Sequence, residues 1–215
     1  MIRIIINFKP SVMRKVIFQI IFLTAICPLI SGQGIGGSAH DFSGDGWSGG
    51  QICIVCHTPH NADATVAESP LWNHEVTDES FTVYTSATLD ATDVGQPSAS
   101  SKLCLSCHDG TIALDSYGGM TGSSFISGSA NLGNDISNDH PISFAYNTAL
   151  STEDGGLHDP STANSGLGGT IDDDLLYAEK MECASCHDVH NSSNLSKRLI
   201  KSNAASALCL TCHNK

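Results

Sequence analysis

The sequence predicts a mostly irregular coil carrying short α-helices, with little β-sheet. Its core is one that side chains alone are too sparse to fill. Two observations set this expectation. Beyond residue 32, the 215-residue chain holds four Phe, two Trp and four Tyr. Between Gly110 and Gly169, Gly, Ser, Asn and Asp dominate and no helix or strand period is visible. A structureless stretch of that length is uncommon inside a compact domain. Either it is disordered, or a non-protein group supplies the core.

Residues 1–32 stand apart. Arg3, Lys9, Arg14 and Lys15 occur there without any acidic residue, an apolar run follows from Val16 to about Ile30, and the small Ser31 and Gly32 close it. This is the three-part layout of a secretory signal peptide. The run is shorter than the ~20 residues that cross a bilayer. Met13, followed by Arg14-Lys15, offers a second possible start. Cys27 follows Ile26, too large a neighbour for a lipoprotein site, so it is expected to leave with the signal. Residues 33–215 are the expected mature domain. They keep six of the ten basic residues and all 22 acidic ones, a formal charge of 6 − 22 = −16. Nucleic acid and anionic membrane surfaces are poor partners for such a chain, and it has no span left once the signal is removed.

The eight remaining cysteines fall into four pairs: Cys53-Cys56, Cys104-Cys107, Cys183-Cys186 and Cys209-Cys212. A histidine follows each pair at once: His57, His108, His187 and His213. Cys-x-x-Cys-His is the attachment signature of c-type haem. Two thiols reach two vinyl groups on one porphyrin edge, and the next residue turns its imidazole onto the iron. Structural zinc, disulfides and a thioredoxin-like pair also use paired cysteines, but none requires histidine directly after the second. Four covalent haems are therefore the expected cofactors and the expected core, with short helices wrapped around them.

Each iron needs a sixth ligand or keeps an open position. The other histidines are His40, His60, His74, His140, His158 and His190. His40, His60, His74, His140 and His190 are the distal candidates, five for four positions, and His158, in Gly-Gly-Leu-His-Asp-Pro, is the weakest. Met120 and Met181 limit methionine ligation to two haems at most. His60 and His190 hold equivalent places in Cys-His-x-x-His-Asn. Three residues are too few to wrap around a porphyrin, so each is expected to ligate a haem other than the one beside it. Asp172-Asp173-Asp174 reads as a solvated charge run rather than a calcium site.

The motifs pair a second way. Leu103-Cys-Leu-Ser-Cys-His108 and Leu208-Cys-Leu-Thr-Cys-His213 match each other, and motifs one and three share His-Asn. The order A-B-A-B suggests two two-haem units, about 33–115 and 175–215, joined by the Gly/Ser/Asn-rich segment. Short helices are expected over Ser101–His108 and from about Ser202 to His213, with serine caps.

Several phrases between the motifs resemble a known family. They are Ala39-His40-Asp41-Phe42-Ser43, Cys-His57-Thr-Pro-His60-Asn, Pro70-Leu71-Trp72-Asn73-His74, Leu103 to Gly110 and Asn138-Asp139-His140-Pro141-Ile142-Ser143-Phe144. Together they resemble the tetrahaem extracellular cytochromes that polymerise into conducting filaments. The resemblance implies mostly coil, bis-histidine haems in close pairs, electron transfer rather than catalysis, and a distal histidine donated by the adjacent subunit, a role carried to His60. Expected partners are copies of the chain, other redox proteins and extracellular electron acceptors. A soluble periplasmic shuttle, or an oxidoreductase with one open haem, would use the same four motifs.

Overall fold

A computed structural model describes residues 34–214. The chain divides into Met1–Ser31 and Gly32–Lys215. The signal peptide, Cys27 and the alternative start at Met13 lie outside the described residues.

Coil and turns make up most of the chain. Helix α1 spans Ala99–His108, α2 Thr148–Asp154, α3 Ile171–Leu175 and α4 Cys209–Cys212. Single 3-10 turns punctuate the rest, at Phe42–Gly44, Gly46–Ser48, Gly128–Ala130, Cys183–Ser185, Ser196–Arg198 and Ala204–Ser206. The two strands, β1 (Phe144–Ala145) and β2 (Lys180–Met181), are two residues each and pair antiparallel, Phe144 opposite Met181. Two small apolar clusters form. Phe144, Tyr146, Ile171, Leu175 and Met181 make one, and Phe81, Leu105 and Ile136 the other.

Three local expectations change. The stretch from Gly110 to Gly169 is not one loop. It contains β1 and α2, and Asn147 caps α2 by accepting a hydrogen bond from the Leu150 amide. The three aspartates are not a plain solvated run. They form the first turn of α3, where Thr170 and Asp173 make a reciprocal capping box and Asp174 accepts from the Gly169 amide at 2.8 Å. Carboxylates there complement the helix dipole. The C-terminal helix is also shorter than expected. Ala205 and Ser206 have φ of 52° and 62°, which breaks the expected span of 202–213 into a 3-10 turn and α4. At the start of α1, Ser98 makes no capping bond and donates to Glu182 Oε1 instead, at 2.9 Å, whereas Ser202 Oγ accepts from the Ala204 amide at 3.2 Å.

The two A-type motifs fold alike down to single hydrogen bonds. In motif one the amides of Cys56 and His57 both donate to the Cys53 carbonyl, at 3.2 and 2.9 Å, and those of Cys186 and His187 do the same to Cys183, at 3.2 and 3.0 Å. A passing strand then crosses each. Thr58 N donates to Leu71 O and Asn73 N to Cys56 O, and Asp188 N donates to Arg198 O and Ile200 N to Cys186 O. His57 bridges to Trp72, and His187 to Leu199. Leu71 and Arg198 share a positive φ, 53° and 52°. The B-type motifs are both helical, in α1 and α4.

Candidate functional site

The described cysteines are all free thiols, and only Cys53 and Cys209 are exposed. Their mutual proximity shows in their acidity. Burial, then the neighbouring Cys56 thiol, pushes Cys107 up to about 12, and burial with Cys186 pushes Cys212 up to about 11. The Cys104 and Cys183 thiols interact directly, and that contact with burial holds Cys104 well above its ordinary value. The thiols thus form a trail from motif one to two, two to three and three to four.

Backbone carbonyls orient the motif histidines. His57 Nδ1 lies 2.6 Å from Pro70 O, His108 Nδ1 2.7 Å from Ala130 O, and His187 Nδ1 2.9 Å from Lys197 O. A carbonyl only accepts, so Nδ1 carries the proton and Nε2 keeps its lone pair. That is the tautomer a metal requires. At motif four, Leu157 bridges to His213, and Tyr146 OH donates to the Cys212 carbonyl at 3.3 Å.

Three motif histidines have another histidine ring beside them. The ring centroids are 6.1 Å apart for His57 and His190, 6.0 Å for His108 and His40, and 6.3 Å for His213 and His140. Two imidazoles bonded to one metal from opposite sides, at about 2 Å each, with the ring centre roughly 1 Å further on, have centroids about 6 Å apart. Ordinary aromatic contacts cover that range too. Each pair joins one motif histidine to one histidine outside the motifs. The fourth, His187, is exposed and, among the described residues, has no second histidine ring beside it.

The other candidates sit differently. His60 is exposed. His74 is 2% exposed, with its ring nitrogens 2.8 and 3.0 Å from the carbonyls of Glu75 and Ala113. His158 serves through its backbone, its amide donating to Cys212 O at 2.8 Å and its carbonyl accepting from Tyr146 OH at 2.6 Å. Met120 is 56% exposed, and Met181 belongs to the apolar core. Burial, then the Arg198 and His108 charges, lowers His40 to about 4, so its imidazole is neutral at pH 7.

The space beside motif four suits a large apolar group. A cleft with about 850 Å³ of empty space, partly open to solvent, is lined by Cys209, Cys212, His140 and His213 against Phe144, Leu157 and Met181. Two thiols, two facing imidazoles and apolar walls are the donor set of c-type haem. Among the described residues no three His, Cys, Asp or Glu side chains gather as in a zinc site. The residues fit haem.

Sequence reasoning missed five contributors. Pro70, Ala130 and Lys197 act through carbonyls and share no side-chain feature. Glu182 is 1% exposed and ties motif three to the start of α1. Gly34 has φ +83°, and a Cβ there would meet the His190 carbonyl oxygen at 2.6 Å and collide with Asn191. Gly34→Ala is therefore expected to push the His190 loop away from His57. Spectroscopy should then show one additional haem losing its six-coordinate signature, with the number of attached haems unchanged.

Residues 177–215 match the doubled CXXCH motif family. No curated protein matches the chain. The paired motif, with the thiols and imidazoles arranged as above, marks a multihaem c-type cytochrome, a haem-binding protein of electron transfer. Among the described residues no helix is long and apolar enough to cross a membrane.

Proposed function

We propose that this chain is an exported, non-enzymatic electron conductor holding four c-type haems, each iron closed by two histidines, and that copies join into extracellular filaments. The axial pairs are His57 with His190, His108 with His40, and His213 with His140. His187 takes His60 from a neighbouring copy. His74 is a structural histidine on this reading, held by two carbonyls. Haem iron supplies reversible one-electron chemistry. The chain attaches it, fixes the tautomer of its ligands through carbonyl oxygens, and keeps neighbouring motifs close enough for electrons to hop.

The observation that supports this reading is the unequal count. Three motif histidines have a second histidine ring beside them, while His187 has none among the described residues and His60, the counterpart of His190, stands exposed. Haem assay of the secreted protein should give four haems per chain, and electron microscopy should show continuous filaments. Fewer haems, or dispersed four-haem monomers with every iron six-coordinate, would defeat it.

The exposed His187 also favours a second reading. A chain that remains monomeric, as a periplasmic shuttle would, leaves that haem open to small ligands, as an oxidoreductase needs. Binding of carbon monoxide or nitrite to one haem in four of the isolated protein would support it.

A further inference from the structure

Resting on the filament reading above, we propose that the joint between copies repeats a joint already built inside each subunit, with residues 51–54 of one copy docking on residues 203–209 of the next.

The internal joint lies between α1 and motif three. Ser101 Oγ accepts from the Cys183 amide at 2.8 Å, and Ser98 Oγ donates to Glu182 Oε1 at 2.9 Å. The same joint carries His190 of the second unit onto His57 of the first. Each participant has a counterpart. Ser98-Ala-Ser-Ser101-Lys-Leu-Cys104 aligns with Asn203-Ala-Ala-Ser206-Ala-Leu-Cys209, and Glu182-Cys183 aligns with Ile52-Cys53. Ser101 is fully buried and Ser98 is in use. Their counterparts Asn203 and Ser206 are exposed, with Asn203 Oδ1 accepting from the Leu208 amide at 3.1 Å, and Cys53 and Cys209 are the two exposed cysteines among the described residues.

The units are arranged similarly enough for the joint to repeat. In the first unit the segment that crosses motif one, Asn73-His74, sets His74 Nε2 3.5 Å from Cys107 Sγ of motif two, and in the second the segment that crosses motif three, Ile200-Lys201, donates from Lys201 Nζ to Thr211 Oγ1 of motif four at 2.9 Å. Applying the internal relation once more at the C-terminal end places Cys53 of the next copy against Cys209. It also places His60 of that copy on His187, since His60 is the counterpart of His190 and His187 that of His57. One geometric operation thus covers the exposed ends of motifs one and four and brings a second histidine ring to His187. The two faces lie on different segments, so the contact is head-to-tail and propagates rather than closing as a dimer.

The broken C-terminal helix fits this picture. α1 is continuous from Ala99 to His108, with motif three packed on it. Its counterpart is interrupted at Ala205 and Ser206, where nothing in the chain plays the part of motif three. One feature is not repeated: Ile52 stands where Glu182 would be, so the joint between copies lacks the internal carboxyl clasp.

The test uses full-length holoprotein with two exposed positions changed, Ser206→Arg and Gln51→Arg, each preparation first checked for four haems. Each variant alone should run as a monomer by sedimentation, with one haem in four lacking its sixth ligand. Each keeps one good face, so an equimolar mixture should form dimers, with half of that missing ligation restored, and go no further. If wild type forms filaments and both variants do as well, this joint is wrong and the filament reading stands. If wild type is monomeric, or stops at a closed dimer, the filament reading falls and the joint with it.

Discussion

Chains carrying His60→Ala should remain monomeric, and one haem in four should turn high-spin. In the wild-type chain His60 is exposed and bonds only through its backbone, to the Thr58 hydroxyl. Its removal therefore costs the subunit almost no stability. Surface substitutions of this kind stay within about 0.5 kcal/mol. The thermal midpoint and haem count should stay near wild type while assembly is lost. Added imidazole should return the affected haem to six-coordination without returning filaments, which separates the iron's need for a ligand from the polymer's need for a link. Filaments that persist with every haem six-coordinate would remove His60 from the mechanism.

Glu182→Ala should be the most damaging change away from the haem ligands. The carboxyl is 1% exposed. It accepts from the hydroxyls of Ser98 and Ser143, both at 2.9 Å. Alanine leaves these donors buried without an acceptor, which costs about 3 kcal/mol. For a chain of this size that lowers the midpoint by roughly 10 °C. Glu182→Gln keeps one acceptor oxygen and should lose about half as much. Thermal melts of the haem-loaded variants followed by circular dichroism check both. A Glu182→Ala midpoint within 2–3 °C of wild type, about 1 kcal/mol or less, would show that the clasp is not holding motifs two and three together.

Much of the site was legible because its chemistry is written in residue types at fixed spacing. Cysteine pairs with a following histidine announce themselves, and the shared His-Asn of motifs one and three marked His60 and His190 as equivalents. What spacing cannot carry is the partner across space. Nothing near His40 or His190 in the sequence names His108 or His57, which lie 68 and 133 positions away. On the proposed reading the excess candidate is His74, set in the same kind of phrase as the others. Its difference is two carbonyl neighbours, which only folding supplies. The coil-rich fold followed from composition. The helix expected over 202–213 did not form as a whole: α1, its sequence twin, has motif three bonded to it, whereas Ala205 and Ser206 take positive φ in the C-terminal segment.

Main-chain carbonyls, rather than side chains, hold the motif imidazoles. Pro70-Leu-Trp-Asn73 and Lys197-Arg-Leu-Ile200 do the same work under motifs one and three, yet they share no residue at matching positions. A cradle of this kind places almost no constraint on which amino acids build it. Outside the thiols and imidazoles, the chain can therefore drift far in sequence while the conductor inside keeps its shape. Descendants of one ancestral two-haem unit could become unrecognisable everywhere except at the attachment points.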